Sequence, residues 1–173
     1  MLTRILVATD GSEVADRAVR LGAEIAARFD AELVLVNVLV EEPTRHEIGA
    51  MDQLMGGLGP QQVAPLHMDS LMETMNRRSD ATPVTSHAEA LHQIATHVLE
   101  RAAGIAEEHG VREAATVLLH GKPAHAIADA ASSREADLVV LGTRGLGGVE
   151  GALLGSVSQH VSSHAPVSCL TVK

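Results

Sequence analysis

Two short segments of the chain place glycine, hydroxyl and charged residues directly after apolar runs. The first is Asp10-Gly11-Ser12, which follows the apolar run 4–9. The second is 142–155, which follows the run 137–141 and contains six glycines in fourteen residues. Glycine has no Cβ, so it lets the backbone approach a ligand closely or adopt a positive φ. Successive free N–H groups in such a segment line a hollow that suits an anion.

The glycine-rich segment ends where a helix is predicted to begin. Gly155-Ser156 opens a helical pattern over 156–164, and a helix N-terminus offers unpaired N–H groups to phosphate. The hydroxyls of Ser156 and Ser158 add possible donors, and Arg144 is the one cation within 142–155. These residue types predict a site for a phosphorylated ligand.

Two familiar nucleotide motifs are absent from the sequence. No glycine is followed by Lys-Ser or Lys-Thr, as a Walker A loop requires. A dinucleotide fingerprint that starts at Gly145 meets Glu150 where it needs glycine. The sequence therefore disfavours both a P-loop ATPase and a dinucleotide-dependent enzyme.

The elements that must position these segments alternate along the chain. Strands are predicted at 4–9, 32–40, 115–120, 137–141 and 167–172, and helices at 13–29, 87–109, 123–133 and 156–164. Such alternation predicts a parallel sheet with helices on both faces, and ligands bind such sheets at the carboxyl ends of the strands. Residues 41–86 contain five of the six methionines and no strand pattern, so we interpret them as an insert.

Composition excludes several classes of partner. The net charge is −9, with 22 acidic and 13 basic residues and no basic run. One Phe, no Tyr and no Trp leave no platform for stacking bases, so we expect no nucleic-acid partner. No apolar run approaches the roughly 18 residues of a membrane span, and the N-terminal apolar run is too short for a signal peptide. We expect no membrane insertion and a cytoplasmic location.

Cysteine and histidine give weaker signals. The single cysteine, Cys169, excludes an intrachain disulfide, and its place in an apolar strand predicts that it is buried. His160 and His164 could share one face of a helix, but no acidic or cysteine ligand lies at matching spacing nearby. We therefore predict no metal site formed by the protein alone.

The pattern Gly142-x2-Gly145-x9-Gly155-Ser156 resembles the ATP-binding signature of the universal stress protein (UspA-like) family. The opening ILVATDGS and the ending APVSCLTVK resemble the first and last strands of that family. The resemblance covers 1–40 and 87–173. It implies a three-layer α/β fold of the adenine nucleotide alpha hydrolase-like type, an open parallel five-stranded sheet of order 3-2-1-4-5. It also implies a single domain over 1–173, with the insert at about 41–86.

The resemblance further implies a site for ATP, or for AMP or ADP. Its residues, carried over from the family, would be Ala8, Thr9, Asp10, Val38, Leu141, Gly142, Gly145, Gly155, Ser156, Val157 and Ser158, to which the residue pattern adds Arg144. Val38 would line the adenine pocket, and Asp10 would lie near the ribose or a nucleotide-bound Mg²⁺. Gly145 and residues 155–158 would hold the phosphates.

Three functions stay open from the sequence. The resemblance implies a nucleotide-responsive regulator in the stress response, a homodimer through 167–172 that acts on an unidentified protein and hydrolyses ATP slowly at most. An alternative is a protein-binding module that works through the insert without nucleotide. An adenylyl-transfer enzyme is disfavoured, because the Ser-Gly-Gly-x-Asp-Ser and His-x-Gly-His motifs of that group are absent.

Overall fold

Five strands alternate with four helices in the computed structural model, which describes residues 1–40, 87–146 and 154–173. The predicted insert, 41–86, lies outside the described residues. The strands are β1 (Arg4–Ala8), β2 (Glu32–Leu39), β3 (Ala115–His120), β4 (Leu138–Gly142) and β5 (Ser168–Val172), and the helices are α1 (Glu13–Phe29), α2 (His87–Glu108), α3 (Pro123–Ser133) and α4 (Ser156–His164). None of these helices is both long and apolar enough to cross a bilayer.

All strands are parallel, in the order β3-β2-β1-β4-β5, and this confirms the predicted sheet. β1 lies in the middle, where Ala8 is in register with Val36 of β2 and with Leu141 of β4. The chain winds from β1 outward to β3 and then returns to β4 on the other side of β1. The carboxyl ends of β1 and β4 therefore meet at the point where the winding reverses, which is the usual place for a ligand in such a sheet.

Two apolar clusters cover the two faces of the sheet. Alternate residues of β1 enter opposite clusters: Ile5 and Val7 pack with α1 and α2, whereas Leu6 packs with α3 and α4. Helix α1 approaches the sheet closely at Gly22, because a Cβ there would lie 2.5 Å from Cγ2 of Val7. The central strand is thus buried on both faces, as the continuous apolar runs predict.

Strand β5 forms one edge of the sheet. Cys169 on this strand is half-buried, so the prediction that it is buried was wrong. Among the described strands, β5 has β4 as its one neighbour, so its other side is not covered by a strand. Its Sγ lies 3.7 Å from the carbonyl oxygens of Val161 and Val167. Partial burial raises the pKa of the thiol, which keeps it protonated at neutral pH.

A carboxylate joins the amino ends of β1 and β4, opposite the edge at which these strands finish. Oδ2 of Asp137 accepts hydrogen bonds from the Thr3 amide at 2.6 Å, the Thr3 hydroxyl at 2.9 Å and the Arg4 amide at 3.0 Å. The Thr3 and Arg4 amides, followed by the Thr3 hydroxyl, lower the pKa of Asp137 from 3.8 to about 2. The ionised carboxylate therefore helps to hold the two central strands in register.

Asp137→Asn should lower the thermal unfolding midpoint at neutral pH, because the amide is a weaker acceptor for the three donors. Since the folded pKa is depressed, the contribution of Asp137 is present above its ordinary value of 3.8 and is lost as the pH falls through about 2. Calorimetric unfolding between these limits should show a smaller pH dependence in the variant than in the wild type. The exposed Glu113→Gln is the control, and equal curves for Asp137→Asn and wild type would contradict the assignment.

Candidate functional site

A cavity of about 440 Å³ opens at the carboxyl ends of β1, β2 and β4. All twelve residues predicted from the sequence line this one cavity: Ala8, Thr9, Asp10, Val38, Leu141, Gly142, Arg144, Gly145, Gly155, Ser156, Val157 and Ser158. The sheet brings them together because β1 and β4 are neighbours although their sequences are far apart. The role of each residue toward a ligand stays a prediction.

The turn after β1 is fixed by one hydrogen bond to β2 and by others within the turn. The Thr9 amide donates to the Val36 carbonyl at 2.9 Å, and the Gly11 amide donates to the Thr9 hydroxyl at 3.2 Å. Gly11 has a φ of 81°, a backbone conformation that favours glycine. Ser12 then caps α1, because its Oγ accepts from the Ala15 amide at 3.2 Å. The turn therefore passes directly from a buried strand into a capped helix.

Asp10 connects this turn to the glycine-rich segment. One carboxylate oxygen accepts from the Ser12 amide at 3.0 Å, and the other accepts from the Leu146 amide at 2.7 Å. The first contact closes the turn, and the second reaches across the site to the segment that follows β4. Hydrogen bonds to an ionised acceptor are among the stronger ones. Asp10 thus holds two walls of the cavity at a fixed separation.

Contacts within the protein favour glycine at three positions of the signature. A Cβ at Gly145 would lie 2.1 Å from Oδ2 of Asp10, and one at Gly142 would lie 2.9 Å from the Arg144 carbonyl oxygen. A Cβ at Gly155 would lie 3.3 Å from the Thr143 carbonyl oxygen. None of the three has a positive φ. Their small size therefore lets backbone segments pack together, a reason that differs from the close approach to a ligand that the sequence suggested.

The N-terminus of α4 faces the cavity without a side-chain cap. Its N-cap is Gly155, which has no side chain to accept from the first turn. Within the described part of the chain, no residue accepts a hydrogen bond from the amides of Ser156 or Val157. Unpaired amides at a helix N-terminus attract anions.

Two of the groups predicted to hold phosphate are already bonded to the protein. The Gly155 amide donates to the Thr143 carbonyl at 2.6 Å. Oγ of Ser158 is buried and lies 2.9 Å from the carbonyl oxygens of both Thr143 and Gly155. These contacts fasten the first turn of α4 to the end of β4, so the Gly155 amide and the Ser158 hydroxyl act here as supports for the loop.

Helix α2 contributes an apolar wall to the cavity, and none of its residues was among the predicted site residues. Leu91, Ile94, Ala95 and Val98 are buried and line the cavity, and Ile127 of α3 joins them. Their helical spacing was visible in the sequence, but spacing alone does not distinguish a face that packs on the sheet from one that borders a ligand. That distinction depends on where α2 crosses the end of β2.

Two buried polar residues of the cavity were also missed. Asn37 is 8% exposed and Thr143 is 5% exposed. Nδ2 of Asn37 donates to the Thr9 carbonyl at 2.8 Å. No partner for the Thr143 hydroxyl occurs among the described residues. A signal was present in each case, since Asn37 is the one polar residue in the run 33–40 and Thr143 lies inside the glycine signature.

Two arginines lie near the turn and the glycine-rich segment. Arg144 lines the cavity and is exposed, and it forms no ion pair with any described residue. Arg101 of α2 instead donates to the Gly11 carbonyl at 3.0 Å and pairs with Asp16 of α1. Arg101 therefore stabilises the turn, whereas Arg144 is available to a ligand.

The imidazole rings of His160 and His164 stack against each other. The rings of His160 and His164 lie 4.1 Å apart, and His125 of α3 lies 4.7 Å from His160. Desolvation, followed by the neighbouring His164 and His125, lowers the pKa of His160. Within 1–40, 87–146 and 154–173, no group of three or more His, Cys, Asp or Glu residues is arranged to hold a metal ion.

The fold and this cavity define a class of α/β proteins with a ligand site at the reversal of the sheet. The universal stress protein family model matches residues 1–173, so the chain belongs to that family. A universal stress protein of Thermus aquaticus is 33% identical over 173 residues, which are 100% of both chains.

Solved structures share the same fold. One is a universal stress protein in complex with cAMP, with a TM-score of 0.62 and 24% identity over 99% of this chain and 97% of that chain. Another is the universal stress protein from Archaeoglobus fulgidus in complex with dAMP, with a TM-score of 0.62 and 21% identity over 100% of both chains. At these identities the likeness establishes the adenine nucleotide alpha hydrolase-like fold.

Gly145→Ala should destabilise the protein, because the new Cβ displaces the Asp10 carboxylate and breaks its bond to the Leu146 amide. The expected loss is about 1.5 to 3 kcal/mol in the free energy of unfolding, as for other hydrogen bonds to a charged group. Denaturant unfolding measures it. The matched control is Gly104→Ala, since a Cβ at this helical glycine meets nothing within 4 Å; this change should instead stabilise the protein by about 0.5–1 kcal/mol. A neutral Gly145→Ala would show that the contact is unimportant.

Proposed function

We propose that this protein binds ATP in the cavity and acts as a nucleotide-responsive regulator in the stress response. One observation carries the proposal: a single cavity is lined both by an uncapped helix N-terminus and by an apolar wall from another helix. ATP has the matching division, with a polyanion at one end and a flat base at the other. The adenine nucleotides named in the two neighbouring complexes support this ligand class.

The phosphates would lie against the first turn of α4. The Ser156 and Val157 amides supply donors there, and the helix dipole adds about half a positive charge. The Gly145 segment and Arg144 would border the same phosphates. Because the net charge of the chain is −9, these local groups must attract the anion against the overall field.

The adenosine would occupy the apolar end of the cavity. Val38 and Leu141, at the ends of β2 and β4, would flank it, and Leu91 and Ile94 of α2 would cover it. Ala8 and Thr9 would form the floor at the end of β1, and Asp10 would border the ribose. A pocket of this kind binds a base mainly through its apolar surface, with a few polar groups that fix its orientation.

We propose binding without efficient hydrolysis. Asp10 is the only carboxylate among the described residues that line the cavity, and both of its oxygens already accept main-chain hydrogen bonds. A carboxylate held in this way is poorly placed to activate water as a general base. Any Mg²⁺ would therefore be held chiefly by the phosphate oxygens, with Asp10 nearby.

Regulation requires that the bound nucleotide changes a surface seen by a partner. Residues 143–146 and 154–155, between β4 and α4, line the cavity, and β4 pairs directly with the edge strand β5. We propose that the protein is a cytoplasmic homodimer through 167–172 and that nucleotide binding alters this surface or one beside it. The regulated protein is then recognised by the dimer.

Ser156→Pro should weaken ATP binding by about tenfold or more while the fold stays intact, since a hydrogen bond to a charged group contributes roughly 1.5–3 kcal/mol. Ser156 is the first residue of α4, where proline is well tolerated, and Gly155 has φ −75° and ψ 161°, as the residue before proline prefers. The substitution therefore removes one amide donor selectively. Titration calorimetry with ATP gives the affinity.

Ser156→Ala is the matched control, because it keeps the amide and removes only the hydroxyl. Ser156→Ala should bind ATP about tenfold or more tightly than Ser156→Pro, because the two variants lack the same hydroxyl and differ in the amide donor. If Ser156→Pro folds and binds ATP as tightly as the wild type, the phosphates do not lie at this helix. Mass spectrometry of the purified protein for a co-purified adenine nucleotide is the direct test of the ligand class, and no binding of ATP, ADP or AMP would refute it.

Thr171→Pro should convert the proposed dimer to a monomer. The Val172 carbonyl accepts from the Thr143 amide, so the backbone polar groups of Val172 point toward β4. Those of the preceding residue, Thr171, point the opposite way, so its N–H lies on the open side of β5. Proline at an edge removes that donor and spares the ladder to β4. Sedimentation velocity measures the change. Arg112→Gln, on an exposed loop, is the control, and a Thr171→Pro dimer would place the interface elsewhere.

A further inference from the structure

Asn37 is a polar residue in an apolar strand. It lies in β2, whose sequence is ELVLVNVL, and only 8% of its surface is exposed. It pairs in register with Leu118 of β3, and its neighbours in β2 are Val36 and Val38. Burying a carboxamide in such surroundings is costly unless both of its ends are hydrogen-bonded. A buried Asn at this position therefore needs a partner at each end.

One end of the carboxamide has its partner. Nδ2 of Asn37 donates to the Thr9 carbonyl at 2.8 Å. A carbonyl oxygen can only accept a hydrogen bond, so Nδ2 must lie toward Thr9. This contact assigns the orientation of the Asn37 carboxamide. Oδ1 then points away from Thr9, and among the described residues no donor lies within hydrogen-bond distance of it. The unsatisfied acceptor belongs to a residue that lines the cavity.

We propose that Oδ1 of Asn37 accepts a hydrogen bond from the exocyclic 6-amino group of a bound purine and so selects adenine nucleotides. The inference rests on the proposed function, because it assigns a specificity-determining residue to the same cavity. By strand alternation Asn37 shares the face of Leu33 and Leu35, which is the face that helix α2 covers. Leu91 and Ile94 of α2 line the cavity there, so a base fits this end better than a phosphate. Phosphate oxygens carry no donor for an acceptor such as Oδ1.

The discrimination follows from the donor and acceptor pattern at position 6 of the purine. Adenine presents an N–H donor there, whereas hypoxanthine and guanine present a carbonyl oxygen. A 6-oxo purine would place two acceptors against each other and leave both unsatisfied in a buried site. Sites that hydrogen-bond a substrate group reject analogues without it strongly. The ribose hydroxyls also donate, but they are the same in all purine ribonucleotides and so confer no preference.

The first experiment measures wild-type affinity for ATP, ITP and purine riboside triphosphate, which lacks any substituent at position 6. ATP should bind about 10- to 100-fold more tightly than either analogue. Purine riboside triphosphate separates loss of the donor from repulsion by the 6-oxo group. The three ligands share ribose and phosphates, so differences report on the base alone. Affinities that agree within threefold would overturn the inference, whatever any variant does.

The second experiment uses two substitutions at Asn37. Asn37→Leu removes the acceptor and should reduce the preference for ATP over ITP to less than threefold. Asn37→Asp keeps an oxygen acceptor and should therefore retain the preference for ATP over ITP. A preference that is kept in Asn37→Asp and lost in Asn37→Leu depends on the acceptor and not on the size of the side chain. A purely structural role, the tie to Thr9, would lower the unfolding midpoint in both variants and leave the ratio of affinities unchanged. A preserved ratio in a folded Asn37→Leu protein would therefore overturn the inference.

Ser156→Pro is the matched contrast at the phosphate end. It should weaken all three nucleotides by the same factor and leave their ratio as in the wild type. If none of the three binds the wild-type protein, the proposed function itself fails, and the role of Asn37 fails with it. If all three bind equally well, the nucleotide site stands and only the role of Asn37 is refuted.

Discussion

The parallel pairing of β1 with β4 is the constraint on which the rest of the site depends. This contact places two turns, more than a hundred residues apart in sequence, side by side at the point where the sheet reverses. Asp10 then connects the turns, since its carboxylate accepts from the Ser12 amide on one side and the Leu146 amide on the other. Without this adjacency the glycine-rich segment would have no wall opposite it.

Glycine serves backbone packing here more than ligand approach. A side chain at Gly142 or Gly145 would collide with the Arg144 carbonyl or the Asp10 carboxylate before it reached any ligand. The glycine signature therefore specifies how residues 142–146 pack against the turn after β1. This packing leaves the first-turn amides of α4 facing the cavity, and it commits the Gly155 amide and Ser158 hydroxyl to holding the loop.

The cavity combines groups from both faces of the sheet. Helix α2 supplies an apolar wall through Leu91 and Ile94, and α4 supplies amide donors at Ser156 and Val157. The strand tips between them carry the buried polar side chains of Asn37 and Thr143. This combination of an apolar wall with unpaired amides is the basis for proposing a nucleotide as the ligand.

The sequence by itself determined the order of strands and helices, because buried strands are continuous apolar runs and helices have a regular apolar spacing. The predicted end of α3 at Ser133 also agrees with the structure. It also indicated part of the cavity lining, because glycine and hydroxyl residues follow β1 and β4, and the family resemblance added apolar residues such as Val38 and Leu141. Only the tertiary structure decided which of their atoms are free. Hydrogen bonds such as Ser158 to Thr143, or Asn37 to Thr9, depend on distances between strands that residue types and spacing do not encode.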